Sequence, residues 1–248
     1  TGLNPVMRIL KETGYTNITV VKEQEKPNGN FPTCPYPNPE IKEAMVLGIE
    51  YAKKCNADLL LATDPDCDRV GIAVKNKTGR YELLTGNQTG MLLLDYICSQ
   101  RMKHGKMPAD PVMVKTIVTM DMGEQIASHY GLRTINVLTG FKFIGEQIGK
   151  LEQQGKVDSY VFGFEESYGC LIGTHARDKD AIVAVMCLCE VAAYCKKHNM
   201  TLWDMMVSMY EKYGYFKETQ YTITMKGIDG ARQIAEIMEK LRKNPPKA

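Results

Sequence analysis

"LATDPDCDRVGIAV", residues 61–74, sets Asp64, Asp66 and Asp68 at alternate positions directly after an apolar run. Like carboxylates a few ångströms apart repel, and partial burial at the mouth of a strand makes that worse. A positive partner is therefore expected. In extended backbone, residues i, i+2 and i+4 point to one side, so the three carboxylates converge beyond the C-terminal end of the strand "ADLLLAT". Open α/β sheets bind ligands at that edge. Three carboxylates suit a hard divalent ion, Mg²⁺ above all, which keeps positions for water and a phosphate. Pro65 stiffens the loop, and Arg69 adds a bidentate donor suited to phosphate beside the metal. An EF-hand loop starting at Asp64 would need Gly and Glu where Arg69 and Lys75 stand. A solvated acidic turn is the alternative for the triplet alone; its place after an apolar strand, beside an arginine, argues for the metal.

Outward from this stretch, strands alternate with helices. "NPVMRILKETG" has helical spacing and closes on Gly14; "NITVVKEQ" reads as a strand, and the proline-rich "KPNGNFPTCPYPNPE" as a loop. "EIKEAMVLGIEYAKKCN" predicts an amphipathic helix leading into the strand before the aspartates. "VGIAVKN", "KTGR" and "YELLTG" predict a hairpin, and "NQTGMLLLDYICSQRMKHG" a helix. After "KMPADP" the rhythm restarts with strand "VMVKTIVTM", and Asp121 with Glu124 resembles a capping box for the next helix. Strand "RTINVLT", helix "KFIGEQIGKLEQQG" and strand "SYVFGFEE" follow, then two helices over 179–199 and 201–214. "ETQYTITMKG" and "DGARQIAEIMEKLRKN" read as one strand and one helix, too little to bury a core alone. The expected fold class is α/β: two consecutive α/β domains with mainly parallel sheets flanked by helices, at 1–108 and 109–214, plus a partial strand–helix segment at 215–248. Both ends look cut, as in a piece of a longer protein.

Composition narrows the function classes. The 248 residues are 44% apolar and 24% charged, with net charge +2, so neither a nucleic-acid nor a membrane partner is expected. The basic "EKLRKNPPKA" reads as a solvated helix end. Eight cysteines lie mostly within apolar patterns and form no CxxC pair, which suits reduced thiols and a cytoplasmic location. Asn-x-Thr matches at Asn17, Asn76, Asn87 and Asn199 would matter only in a secreted protein.

A second loop, "VFGFEESYGCLIG", places Glu165, Glu166 and Ser167 after another apolar strand. Carboxylates and a hydroxyl there can bond vicinal sugar hydroxyls, whereas Glu166 is free to face solvent. Together "ATDPDCDRVGIAV", "LTGFKFIGEQI", "GFEESYG" and "RDKDA", with "GNFPTCPYPNPE" ahead of them, resemble the α-D-phosphohexomutases, the phosphoglucomutase/phosphomannomutase family. The resemblance runs through nearly the whole chain.

The resemblance implies four domains around a cleft, with this chain covering the second, the third and the start of the fourth. Asp64, Asp66 and Asp68 would hold Mg²⁺, and Arg69 follows them in the motif. Glu165 and Ser167 would bind sugar hydroxyls, while Thr139, Gly140 and Lys142 belong to a loop that orients the sugar. Arg177 and Lys179 would face phosphate or assist proton transfer, Lys179 as acid or base if crowding by cations lowers its pKa. Simple pairing of Lys179 with phosphate is the alternative. The implied reaction interconverts hexose 1-phosphate and hexose 6-phosphate, of glucose or mannose, through a phosphoserine and a hexose 1,6-bisphosphate. Neither the family's T-x-S-H-N serine motif nor its Arg-Ser-Gly-Thr phosphate loop occurs in these residues, so the chain alone is expected to be inactive. The competing readings are a non-catalytic phosphosugar-binding module and an unrelated metal-dependent phosphotransferase. Intact aspartates speak against the first, and the "GFEESYG" loop against the second.

Overall fold

The computed structural model describes residues 2–219 and 223–246. The chain divides into two units, 1–216 and 217–248. The first opens with helix α1 (Leu3–Glu12), a short helix α2 (Lys22–Glu25) and α3 (Lys42–Cys55). Gly14 terminates α1 as expected. At φ +91° it takes the left-handed conformation that lets its own N–H reach the Lys11 carbonyl and the Tyr15 N–H reach that of Leu10.

Strands β1 (Leu59–Thr63), β2 (Val70–Lys75) and β3 (Tyr81–Leu84) form an antiparallel meander in that order. Helix α4 (Gly86–Lys103) follows, then β4 (Val112–Thr116), α5 (Met122–His129), β5 (Arg133–Val137), α6 (Phe141–Gln153) and a 3₁₀ turn at Val157–Ser159. β6 (Tyr160–Phe164), β7 (Cys170–Ile172), α7 (Ala181–Lys197) and α8 (Leu202–Tyr213) complete the unit. The second sheet has the order β5-β4-β6-β7, parallel except for the last pair. The fold is thus α/β with helices flanking two sheets, and parallel pairing is confined to the second sheet.

Alternation along β4 decides how that sheet is covered. Val112 and Val114 join the core made with Ile144, Ile148 and Leu151 of α6, while Met113 joins the larger core shared with α4, α5 and α7. The chain leaves β4 toward β5 and then crosses to β6 on the other side. Strand order therefore reverses around β4, which opens a crevice at the carboxyl ends of β4 and β6.

Two local expectations fail, and a third lies partly outside the described residues. The strand over 17–24 does not form: 15–21 has no strand partner, and residues 22–25 turn into α2. Ile18 and Val20 still alternate with exposed neighbours, but β1 pairs only with β2, and an extended segment without a backbone partner is not a strand. Asp121 makes no capping bond; its carboxylate accepts from the buried Lys115 ammonium at 3.0 Å, with Glu124 3.4 Å from the same nitrogen. Among the described residues, the complete capping boxes are Thr85 with Gln88 on α4 and Thr201 with Asp204 on α8. The strand over 218–227 falls partly on 220–222, outside the described residues; residues 223–226 are irregular and Gly227 already begins α9 (Gly227–Lys243) of the second unit.

Five of the eight cysteines are buried, Cys34 and Cys189 are half-buried and Cys55 is exposed. All eight are unpaired, and burial pushes Cys98 and Cys187 up to about 12. Among the described residues, no helix is long and apolar enough to cross a membrane.

Candidate functional site

The aspartates occupy the connection between β1 and β2. They converge as expected, with one carboxylate oxygen of each within 4.8 Å of the others, but by winding rather than by extension. Cys67 donates its N–H to the Asp64 carbonyl, and Asp64 Oδ1 accepts from the Asp68 and Arg69 N–H groups at 3.0 Å each. Cys67 takes φ +63° to close the turn, a conformation uncommon for a residue with a Cβ.

The donor set fits a hard divalent cation. Asp68 Oδ1 is buried and has no hydrogen-bond partner, an arrangement that costs free energy unless a cation completes it. Burial, reinforced by the Asp68 and Asp66 carboxylates and opposed by the Arg69 N–H, pushes Asp64 up to about 6. Arg69 Nε stands 3.7 Å from both Asp64 and Asp68, while its Nη1 donates to Glu40 at 2.5 Å. Glu40 closes the proline-rich loop, and nothing in its sequence context marked it as the partner of Arg69.

The second loop meets the first edge to edge. Arg69 and Gly169 form an antiparallel bridge, and the Val70 N–H donates to the Tyr168 carbonyl at 3.1 Å. Tyr168, at φ +67°, is the counterpart of Cys67, so each loop carries one non-glycine residue in the left-handed region. Glu165 is only 5% exposed, and its Oε1 accepts from the Gly140 N–H at 2.9 Å. Burial raises its pKa, opposed by that N–H and by Lys179. Gly140 precedes α6 at φ +120°, so the two loops taken as sugar-reading do touch.

Lys179 ties the loops together. Its Nζ lies 2.9 Å from Asp68 Oδ2, 3.2 Å from Asp178 Oδ1 and 5.6 Å from the centre of the Phe141 ring. Gly169 makes room for its stem, since a Cβ there would fall 2.0 Å from Lys179 Cδ. Its immediate partners are anionic, the opposite of the crowd of cations expected to lower its pKa. Burial lowers its pKa, but Asp68 and Asp178 outweigh that and the net shift is upward.

Other expected residues lie looser. Thr139 and Lys142 are exposed, and the Lys142 ammonium sits over the Phe143 ring. Ser167 is partly buried beside Glu165. The Arg177 guanidinium bonds Glu152 at 2.8 Å and the Thr174 and Ala176 carbonyls, so it is engaged away from the carboxylates. Glu166 does not face solvent: its Oε2 accepts from Thr116 at 3.1 Å, with the Thr119 hydroxyl 3.4 Å away. A Thr-x-x-Thr at the end of a strand was the available signal for that contact.

Two family descriptions match the chain: phosphoglucomutase/phosphomannomutase alpha/beta/alpha domain II over residues 1–79 and domain III over 85–213. The chain belongs to the phosphoglucomutase/phosphomannomutase family. A phosphoglucomutase of Staphylococcus aureus (strain MRSA252) is 35% identical over 248 residues, which is 99% of this chain and 43% of that protein. The chain therefore spans less than half the length of the curated relatives it matches. Among solved structures, a putative phosphomannomutase from Thermus thermophilus superposes with TM-score 0.62 at 21% identity, covering 84% of this chain and 43% of that one. A phosphoglucomutase/phosphomannomutase family protein from Burkholderia thailandensis gives TM-score 0.62 at 17% identity, covering 82% and 39%. These two likenesses establish the shared fold.

Proposed function

We propose that this chain holds the cation-binding and sugar-recognising parts of a phosphohexomutase that interconverts hexose 1-phosphate and hexose 6-phosphate, most closely a phosphoglucomutase. One observation carries the reading: Arg69 of the aspartate loop pairs with Gly169 of the glutamate–serine loop, so a cation site and a hydroxyl-binding site share one edge. The 35% identity to a phosphoglucomutase supports glucose over mannose as the sugar.

In this reading Asp64, Asp66 and Asp68 hold Mg²⁺, which when bound neutralises charge on the phosphoryl oxygens. The remaining work belongs to side chains of the chain itself. Glu165 accepts from sugar hydroxyls with a carboxylate fixed by Gly140, and Ser167 two residues on adds a hydroxyl. Thr139, Gly140 and Lys142 line the approach of the sugar. Lys179 stays protonated and offsets the aspartate charge, which leaves its role electrostatic. Arg69 restrains Asp64 and Asp68, and Arg177 reaches phosphate only by leaving Glu152. The metal-binding part ends ahead of residue 85, the sugar-binding part runs from there to 214, and 215–248 begins a phosphate-binding domain. The protein is cytoplasmic, and its bisphosphorylated intermediate is a hexose 1,6-bisphosphate.

The test is an amide-NMR titration of the chain with glucose 1-phosphate in Mg²⁺, beside mannose 1-phosphate. Shifts at Gly140, Glu165 and Ser167, tighter with glucose, are expected; no response to either sugar overturns the reading. Because no T-x-S-H-N motif occurs in these residues, the same sample should convert no glucose 1-phosphate. Turnover above background would defeat that part.

A further inference from the structure

We propose that Glu166 is a positioning residue that clamps the Glu165–Ser167 loop in its sugar-reading conformation through the hydroxyls of Thr116 and Thr119. The proposal rests on the function proposed above. Neighbouring residues of the loop after β6 divide the labour: the Glu165 carboxylate accepts from the Gly140 N–H, and the Glu166 carboxylate accepts from Thr116. There it meets the turn that follows β4, across the crevice between β4 and β6.

The threonine half of the clamp is buried, and Glu166 is partly buried against it. Thr116 and Thr119 are 0% and 2% exposed, and their hydroxyl oxygens lie 2.8 Å apart. Glu166 Oε2 is 3.1 Å from Thr116 Oγ1 and 3.4 Å from Thr119 Oγ1. Each hydroxyl has one proton, so of the two threonines one donates to the other and the second donates to Glu166 Oε2. The turn itself is anchored from below, where the buried Lys115 ammonium donates to the Thr119 carbonyl at 2.8 Å and to Asp121 at 3.0 Å. From the other side α4 abuts the loop so closely that a Cβ on Gly86 would fall 2.0 Å from the Glu166 carbonyl oxygen. The loop is thus held between a hydroxyl clamp and a glycine contact, while the Glu165 N–H donates to the Gly169 carbonyl at 2.9 Å to close it. Such a clamp needs an acceptor oxygen at 166 and does not need a charge.

That difference makes the proposal testable in the whole chain. Hydrogen exchange at the Glu165 amide, referenced to the Val161 amide in the preceding strand β6, reads the loop without any ligand. Glu166→Ala and the near-isosteric Thr116→Val/Thr119→Val pair should each accelerate it about ten-fold, whereas Glu166→Gln, which keeps an acceptor, should stay within about three-fold of the parent. Glucose 1-phosphate affinity should follow the same order. Unchanged exchange in Glu166→Ala and in the threonine pair overturns the proposal, and so does Glu166→Gln behaving like Glu166→Ala. If the parent binds no sugar phosphate while exchange follows the expected order, the clamp stands and the functional reading falls. Should Glu166→Ala melt at room temperature, the threonine pair and the single Thr119→Val carry the same comparison.

Discussion

Gly86→Ala separates two effects that point in opposite directions. α4 begins at Gly86, where a Cβ would stand 2.0 Å from the Glu166 carbonyl oxygen and 2.6 Å from the Tyr168 nitrogen. Both are main-chain atoms, so no side-chain rotation relieves the clash, and loop or helix must move by roughly 1 Å or more to restore ordinary contact. Helix propensity alone would make alanine better by about 0.5–1 kcal/mol. Overpacking costs about 1–3 kcal/mol. The clash should win, leaving a net loss of about 1–2 kcal/mol and a melting temperature lower by about 2–8 °C for a chain of this size. Gly149→Ala within α6 is the matched control, because a Cβ there meets nothing within 4 Å. It should raise the melting temperature by about 1–4 °C. Thermal unfolding followed by circular dichroism reads both variants. If Gly86→Ala is as stable as the parent or more so, the close approach of α4 to the 165–168 loop is wrong.

Three further outcomes follow from other parts of the structure. Thr201→Ala removes the Thr201–Asp204 capping box of α8 and should cost about 1 kcal/mol in urea unfolding, while Thr78→Ala on the exposed turn serves as a near-neutral reference. Tyr213→Phe deletes the 2.5 Å bond to Asp95, leaving that carboxylate to Tyr130 at 3.1 Å and Lys212 at 3.5 Å, and should cost about 1–2 kcal/mol without changing the secondary structure. Protons should compete with the cation. With Asp64 raised to about 6, its carboxylate is mostly ionised at pH 7 and mostly protonated at pH 5, so calorimetry should find Mg²⁺ about ten-fold weaker at pH 5. The same upward shift means that ionising Asp64 disfavours the metal-free fold as pH rises through about 6; equal Mg²⁺ affinity at both pH values would contradict it.

Much of the fold was legible because its signals are local. Periodicity located α3, α4, α6 and α7, the "KTGR" turn located the β2–β3 hairpin, and Gly14 marked the end of α1. Pairing was not local. Whether residues 17–21 become a strand depends on a neighbour to bond with, and no pattern within "NITVV" reports that. The same limit explains Asp121. The spacing suited a cap, but Lys115 is 1% exposed and must be neutralised, and that need claimed the carboxylate. At the site, residue type marked Asp64, Asp66 and Asp68 as a cluster, although a wound turn and not alternation brings them together, and Glu165 was named from the family resemblance. Glu40, Thr116, Thr119 and Gly86 escaped because their roles exist only through contacts with residues distant in sequence.

Paramagnetic broadening by Mn²⁺, standing in for Mg²⁺, tests the central claim most directly, since it falls steeply with distance from the ion. The amides of Asp64–Arg69 should vanish first at substoichiometric Mn²⁺, followed by Gly169 and Lys179 from the facing segments, and Asp66→Asn should abolish the pattern. Broadening centred elsewhere, or confined to the aspartate loop with Gly169 and Lys179 untouched, would contradict a cation held where the two loops meet.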